Sequence, residues 1–445
     1  MSVVKNLPEG SGVNAWFELS KYKDYKFNDK TEIKDRYDYV VVGAGFGGVF
    51  AALQLSKNDP ASSIALIDAL PIGYFSSGRN AGFVTRTQFI KAIVGRKKFT
   101  NEDHAFITHL NNQVVDTFED LIKEHKLDIN WRHDGSYRGA VEPRSIAALK
   151  EIASSLEGIG VDFEHLDSQR TKERLGTDFY KESIYIPETR LINPSEAIRA
   201  FASVLPSNVK VFENTPVHEI IEGDRPQVVL KNGITINTDK VILTVSAFIR
   251  SFVQDKKTDP VAAIHSFGAL TRVLNDDEYA RFKDLKPWGL VGTHPSACTV
   301  RLTPYRRLFV RTDIAFASKL NINPDRLDKS VPLLRRAFDR RFKGLDKVQF
   351  EYVYGGLISF TGNSTPLFGE IKKNVYAGVT SDGTGVTRAA ILGRYLADLI
   401  QDKKSDELDR IIRTYKPSYL PPEPVRTIGA GIALKIKDYQ AGVEL

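Results

Sequence analysis

The sequence predicts an α/β protein in which a Rossmann-like unit is interleaved with a second domain built on an antiparallel sheet. Three observations carry that reading. A glycine-rich turn, Gly43-Ala44-Gly45-Phe46-Gly47-Gly48, stands between a buried apolar run and a helix-like stretch. A second glycine turn, Ser381-Asp382-Gly383-Thr384-Gly385, occupies the same strand–turn–helix context near the far end of the chain. Between the two lie segments that alternate apolar and polar residues, the period of antiparallel strands.

The first unit opens on Tyr39-Val40-Val41-Val42, a β-branched run suited to a buried parallel strand. Gly43 permits the tight turn, Gly45 lets the backbone approach a pyrophosphate, and Gly48 lets the helix pack close to the strand. The helix beginning near Phe46 aims free N–H groups and its positive dipole end at phosphates. A second buried strand, Ile64–Ile67, ends at Asp68, twenty residues past Gly48, where a ribose-binding acid belongs. The unit predicts a dinucleotide site and leaves NAD and FAD both open. The next stretch, "GYFSSGRNAGFVT" at 73–85, is small, polar and glycine-rich around Arg79. Its backbone donors and arginine can face phosphate or ring oxygens.

The glycine fingerprint, the acid-ended strand and Ser77-Gly78-Arg79-Asn80-Ala81-Gly82 together resemble the FAD-dependent amine and amino-acid oxidoreductases of the D-amino-acid oxidase and glycine oxidase superfamily. The S-G-R-N-x-G form looks most like the gamma-glutamylputrescine oxidase branch. The resemblance implies FAD as cofactor and a glutathione reductase-type FAD fold. It implies FAD contacts at Gly43, Gly45, Phe46, Gly48, Asp68, Ser77–Gly82, Val217 and Gly383, Thr384, Gly385, Val386 and Thr387.

Residues 102–126 place Phe106, Leu110, Val114, Phe118, Leu121 and Ile122 at helical spacing and read as core, with His104, His109 and His125 at the surface. Asn193, Pro194 and Glu196 signal a capped helix start with a capping box. Residues 209–246 read as a β-meander turning at Asn232-Gly233 and returning through "KVILTVSAF". The family closes this return strand with small-Gly-small, where this chain has Val245-Ser246-Ala247. Segments 261–274 and 296–313 alternate as antiparallel strands and resemble the sheet that roofs the flavin. At the far end, Val375–Val379 leads through the second glycine turn to a helix from about Thr387. Helix N–H groups aimed at the flavin pyrimidine edge would stabilise negative charge there. Tyr354, Gly356, Asn363, Pro366 and Gly369 match a family pattern, with Tyr354 where tryptophan is common and Asn363 in place of aspartate. The tail "LPPEPVRTIGAGIALK" also looks like that branch.

The implied division takes 1–36 as an N-terminal extension, 37–100, 193–255 and 350–415 as the FAD-binding domain, 101–192 and 256–349 as the substrate domain, and 416–445 as a C-terminal tail. Length fits such a two-domain chain: 445 residues exceed one small core. The single cysteine, Cys298, excludes an internal disulfide and fits a reducing compartment. It is either a flavin linkage site, as in some relatives, or a buried structural thiol. No signal-like or membrane-spanning run and no zinc-ligand cluster stand out, so a cytoplasmic protein without a metal is expected. The net charge of +7 is spread among acids, as in "DRLDKSVPLLRRAFDRRFKGLDK", which argues against a nucleic-acid partner.

The activity implied is oxidation of an amine or amino acid at the C–H beside nitrogen, with hydride passing to flavin N5, imine hydrolysis, and molecular oxygen reduced to hydrogen peroxide. His265, Trp288 and Tyr354 are the candidates for the pocket over the ring, each with a packing role as its plain alternative. Some relatives clamp an α-carboxylate with an arginine where this chain has Thr303. Arg301 or Arg307 could substitute, and the departure favours an amine or a substrate with a remote carboxylate. The alternatives are a dehydrogenase using another acceptor, a flavin-binding protein without turnover, and a module partnered with RNA modification.

Overall fold

The computed structural model describes residues 2–27, 32–87, 99–253, 256–380 and 382–445, so Ser381 of the second glycine turn lies outside the described residues. The elements that position the site are, in chain order, β1 (Arg36–Val42), α1 (Phe46–Asn58), β2 (Ile64–Ile67), α2 (Asn101–Glu124), α3 (Pro194–Ser203), β3 (Val209–Phe212), β4 (Thr235–Leu243), β5 (Ala262–Thr271), β6 (Trp288–Gly292), β7 (Thr299–Leu302), β8 (Leu308–Phe316), α4 (Pro324–Arg341), β9 (Phe350–Phe360), β10 (Val375–Val379), α5 (Gly385–Ile400) and α6 (Val425–Ala441).

Among the described residues, these strands join two large sheets. In the first, β4, β1, β2 and β3 run parallel side by side, and β10 pairs in parallel with β4. Each parallel strand is a short run of Val, Ile and Leu, because both faces are covered. One face is closed by α1, α2, α3 and α5, where Phe46 and Phe50 pack with Phe118 and Phe201. α2 therefore belongs with this core and not with the substrate domain. Its periodicity is as expected, but His104 is buried and only His109 and His125 are exposed.

The second sheet runs β9-β5-β8-β7-β6 and continues through Ser136–Ala140. β9 lies in this sheet, paired with β5 along its length, so the substrate domain takes residues 350–360 from the range assigned to the FAD domain. Alternation along β5, β7, β8 and β9 divides side chains between two faces. One face holds Phe267, Ala269, Val300, Leu302, Leu308 and Val310 under α4. The other carries Ser266, Gly268, Thr299, Arg301, Phe309, Arg311, Tyr354 and Gly356.

The first 36 residues are not an outlying extension. The short strand Ser2–Val3 pairs with Val217–Ile221 in the first sheet, and Ser11–Gly12 pairs with Tyr354 and Gly355 in the second. The tail is equally integrated. The Glu444 carboxylate accepts from Val141 N at 2.5 Å, Glu142 N at 2.9 Å and Ser145 Oγ at 2.5 Å. Asn193 caps α3 through Ser195 N and Glu196 N, yet the capping box does not close. The Glu196 carboxylate accepts instead from Lys21 N and Asn130 N, fastening two distant segments to the helix start.

Candidate functional site

A cavity opens where β1, β2 and β4 end. Gly43, Ala44 and Gly45 form one wall, Asp68 and Ala69 another, and Ser76, Ser77, Val217 and Thr244–Ser246 complete it. About 770 Å³ of space free of protein atoms lies within it, open solvent included. The parallel register places all three strand ends at one level, so the backbone turns line up at the carboxyl edge.

Packing fixes the glycine turn. A Cβ on Gly48 would stand 1.8 Å from Gly43 O, so only hydrogen lets α1 start against its own turn. A Cβ on Gly45 would stand 2.3 Å from Ser77 Oγ, in the space the cavity uses. Thr244 Oγ1 donates to Gly43 O at 2.7 Å and bolts the turn to β4. The N-terminus of α1 thus faces the cavity with positive dipole and free donors. The Asp68 carboxylate accepts from Ala44 N at 2.7 Å and Leu70 N at 3.0 Å. Burial, with Glu213 nearby, pushes its pKa up to about 6 against those two donors. A carboxylate, an open helix start and a glycine-lined wall in one cleft fit a dinucleotide's ribose and pyrophosphate.

Val245-Ser246-Ala247 has a physical reading here. Ser246 adopts φ +51°, the left-handed region that favours glycine. It lines the cavity and its hydroxyl meets Ser359 Oγ at 2.9 Å. The bulky residues before the S-G-R-N segment also find places. Phe75 lines the cavity and packs edge-on to Phe248, while Tyr74 packs on Phe17.

Of the expected cofactor residues, Gly43, Gly45, Asp68, Ser77 and Val217 line the cavity. Phe46 points into the helical core, and Gly48 acts behind the turn. Gly78 packs on Gly73 O, where a Cβ would stand 1.7 Å away. Asn80 closes a local turn, donating to Ser77 O and accepting from Gly82 N, and Ala81 O accepts from Arg301.

Arg79 is a correction. Its guanidinium donates to Tyr74 O at 3.0 Å, Ser11 O at 2.6 Å, Gly12 O at 3.0 Å and Gly355 O at 2.9 Å. These four bonds spend it as a clamp between the N-terminal segment and β9.

The second glycine turn is brought near but does not line the same cavity. α5 packs along α1 so closely that a Cβ on Gly393 would stand 1.9 Å from Gly47 O. Ser359 stands between turn and cavity: its carbonyl accepts from Asp382 N at 3.1 Å while its hydroxyl meets Ser246. Gly383, Thr384, Gly385, Val386 and Thr387 do not line this cavity. Asp382 and Arg388 form a buried ion pair at 3.3 Å, and burial raises the Asp382 pKa. Asn363 has no ligand-facing role here. Its amide donates to Lys416 O at 2.9 Å and its oxygen accepts from Ser418 N at 3.0 Å, tying down the tail.

The three pocket candidates separate. Trp288 is 2 % exposed beside Phe342 in the core under α4, because its position on β6 alternates to that face. His265 lies on the same side of β5 as Phe267, with Nε2 3.3 Å from Leu320 O and burial lowering its pKa. Tyr354 is on the opposite face, but Trp16 and Phe309 cover it, and burial raises its pKa. Cys298 is fully buried under α4, the structural thiol of the two alternatives.

Arg301 and Arg307 are also committed. Arg307 pairs with Glu351 at 2.6 Å and donates to Thr271 O at 2.7 Å. Arg301 donates to Ala81 O at 2.6 Å and Ile192 O at 2.9 Å, and burial pulls its pKa down to about 10. The residue overlooked is Arg311 on β8. It shares a face with Gly268 and Gly356 and donates to Ser266 Oγ at 3.2 Å and Thr299 Oγ1 at 2.9 Å. Burial lowers its pKa, and its hydrogen-bond partners are neutral hydroxyls, not a carboxylate. Its sequence signal is a basic residue midway along a strand with apolar ends, Leu308-Phe309-Val310 and Ile314-Ala315-Phe316.

Comparison with known proteins agrees with this geometry. The family model described as FAD dependent oxidoreductase (DAO) matches residues 38–399. A probable oxidoreductase, OrdL, of Haemophilus influenzae is 24% identical over 399 residues, covering 87% of this chain and 88% of that protein. The gamma-glutamylputrescine oxidoreductase of Escherichia coli is 24% identical over 371 residues, covering 82% and 83%. Glycine oxidase from Geobacillus kaustophilus superposes with a TM-score of 0.70 at 15% identity, over 84% of this chain and 96% of that one. L-proline dehydrogenase from P. horikoshii gives 0.66 at 17%, over 85% and 96%. A glycine-walled cleft with an acid at the second strand end, in a chain that also carries a large antiparallel sheet, thus has its place in a known lineage: the chain belongs to the DAO family of FAD-dependent oxidoreductases.

Proposed function

We propose that this protein oxidises an amine or amino-acid substrate at the C–H beside nitrogen. Bound FAD would supply the two-electron acceptor. The observation that carries the reading is the meeting of the Gly43–Gly48 turn, Asp68 and Ser246 in one cavity. Gly43–Gly45 and the α1 N-terminus would hold the pyrophosphate, and Asp68 would accept from a ribose hydroxyl. The substrate lies toward the sheet face that carries Gly268, Gly356 and Arg311. Arg311 orients an acidic group on the substrate, a part the saturated Arg79, Arg301 and Arg307 do not take. The relatives include a gamma-glutamylputrescine oxidoreductase, whose named substrate joins an amine to a glutamyl group, in keeping with a remote carboxylate. No general base is required, since the free amine lone pair drives loss of hydride. The resulting imine hydrolyses in water to an aldehyde or keto product, and oxygen takes the electrons as hydrogen peroxide.

The test is purification without added cofactor, denaturation and identification of the released chromophore. Peroxide formation is then measured across polyamines, acylated polyamines and amino acids, with dye reduction under anaerobic conditions in parallel. FAD release with peroxide from an acidic amine supports the reading. Dye reduction without peroxide identifies a dehydrogenase. Release of NAD, or no substrate-dependent bleaching across the panel, overturns it.

A further inference from the structure

Residues 2–12 cross from one sheet to the other, and the crossing passes the cavity. At one end Ser2–Val3 pairs with Val217–Ile221, and Val4 N donates to His218 O at 2.7 Å. Val217, at the start of that strand, also lines the cavity. At the other end Ser11 and Gly12 pair with β9 and their carbonyls accept from Arg79. Between the ends, Leu7 and Pro8 line the cavity, while Lys5, Asn6, Glu9 and Gly10 are exposed. This strap therefore has the cavity on one side and solvent on the other.

The two halves of the strap are held differently. Gly10 is seated so tightly that a Cβ there would stand 2.7 Å from the Tyr74 ring and 2.8 Å from the Arg79 guanidinium. With the Arg79 bonds, that half is fixed to β9. From Val4 to Glu9 the chain has neither helix nor strand. Asn321 holds it: its amide donates to Leu7 O at 2.9 Å and its oxygen accepts from Glu9 N at 3.1 Å. A segment with few buried contacts and solvent-facing hydrogen bonds opens at low free energy while the rest of the molecule stays folded. The other walls cannot yield in that way, because Gly43–Gly45, Asp68 and Thr244 sit at the ends of buried parallel strands.

We propose that residues 2–10 are the movable wall of the cofactor site and Asn321 its latch: the strap lifts for FAD to enter or leave, and when it closes Leu7 and Pro8 bear on the bound dinucleotide. The inference rests on the reading of this cavity as the FAD site. Leu7 and Pro8 join Val217, Phe248 and Phe252 in an apolar part of the lining, suited to a flat aromatic base. Coupling between the two is reciprocal, so FAD holds the strap closed by the same factor by which the closed strap tightens FAD.

Two measurements on the purified holoprotein test this. FAD release is timed by the gain in flavin fluorescence after dilution, and hydrogen exchange of the 2–10 segment is compared with and without FAD. In the wild type, FAD is expected to slow that exchange about tenfold or more. Asn321→Ala is expected to speed release about tenfold, and deletion of residues 2–9 about a hundredfold. Release at the wild-type rate in both variants overturns the proposal, and so does exchange that FAD leaves unchanged. Gly45→Ala, titrated alongside, separates this failure from failure of the cavity reading. Weaker FAD binding there, with the strap variants unchanged, removes the strap alone; FAD binding unchanged in all three removes both. Should the shortened chain fail to fold, Asn321→Ala and the exchange measurement decide by the same outcomes.

Discussion

The two glycine turns head helices of similar length, 13 residues in α1 and 16 in α5, yet different forces shape them. In the first turn neighbours demand the glycines: a Cβ on Gly48 meets a carbonyl at 1.8 Å and one on Gly45 a hydroxyl at 2.3 Å. In the second, a Cβ on Gly383 meets nothing within 4 Å, and only its φ of +89° favours glycine. Thr380 and Asp382 beside it hold φ +83° and +45° without being glycine. Gly43 in the first turn also holds a positive φ, +99°, but there close approach of neighbouring atoms adds to the demand, whereas the second turn rests on the hand of its backbone alone. The same strand–turn–helix pattern can therefore line a cavity or merely support its wall.

The sharpest way to break this contrast is Gly48→Ala against Gly383→Ala. The clash at Gly48 is with backbone, which cannot swing aside. Loss of flavin on gel filtration and a destabilisation of about 3 kcal/mol or more are expected. Gly383→Ala is expected to cost about 1–2 kcal/mol and to keep its flavin. Equal flavin loss in both variants would erase the distinction. Gly45→Ala tests the cleft without the fold, because the Ser77 hydroxyl can rotate away. Its melting temperature stays near wild type while FAD affinity, titrated by fluorescence quenching, falls about tenfold or more.

Arg311→Met carries the contrast to the roofing sheet. Losing a charged hydrogen bond of about 1.5–3 kcal/mol raises KM for an acidic amine about tenfold to a hundredfold. kcat changes little, and a neutral amine is unaffected. A fall in kcat for both substrates would mean that Arg311 supports the fold and does not orient the acid.

The smallest effect concerns pH. The Asp68 pKa of about 6 lies above the ordinary carboxylate value, so the folded apoprotein holds the proton that the unfolded chain releases. Stability from that proton is fully present below about pH 4 and is lost progressively as pH rises from there through 6. A ribose hydroxyl donates to the ionised form, so FAD affinity should move the other way, rising about tenfold from pH 5 to 7. Asp68→Asn should flatten both curves, read by thermal melts of apoprotein and by FAD titration. Unchanged slopes would remove Asp68 from the ribose site.

Much of the nucleotide cleft was legible because its determinants are local. A β-branched run, three glycines and an acid at fixed spacing encode β1, α1 and β2 within about thirty residues of chain. Arg79 was misread for the opposite reason. Its neighbours in sequence suggest a ligand-facing loop, while its partners come from Ser11, Gly12 and Gly355, far apart in the chain. Trp288 and His265 failed through the two-residue period: the sequence marks them as aromatic in a strand but cannot say which side faces the cleft. Arg311 was hidden among many arginines until its strand neighbours proved to be hydroxyls.

By itself the sequence determined the α/β unit, the glycine turn and the family to which they belong, since turn chemistry and hydrophobic period act over short spans. Only the tertiary structure decided which arginines are consumed by carbonyls and carboxylates, and which side chains share a face of the antiparallel sheet. It also decided that Ser359 links the second turn to Ser246 at the cavity wall. Those outcomes depend on long-range pairing of strands, where a shift of one residue exchanges the two faces. No local pattern carries that information.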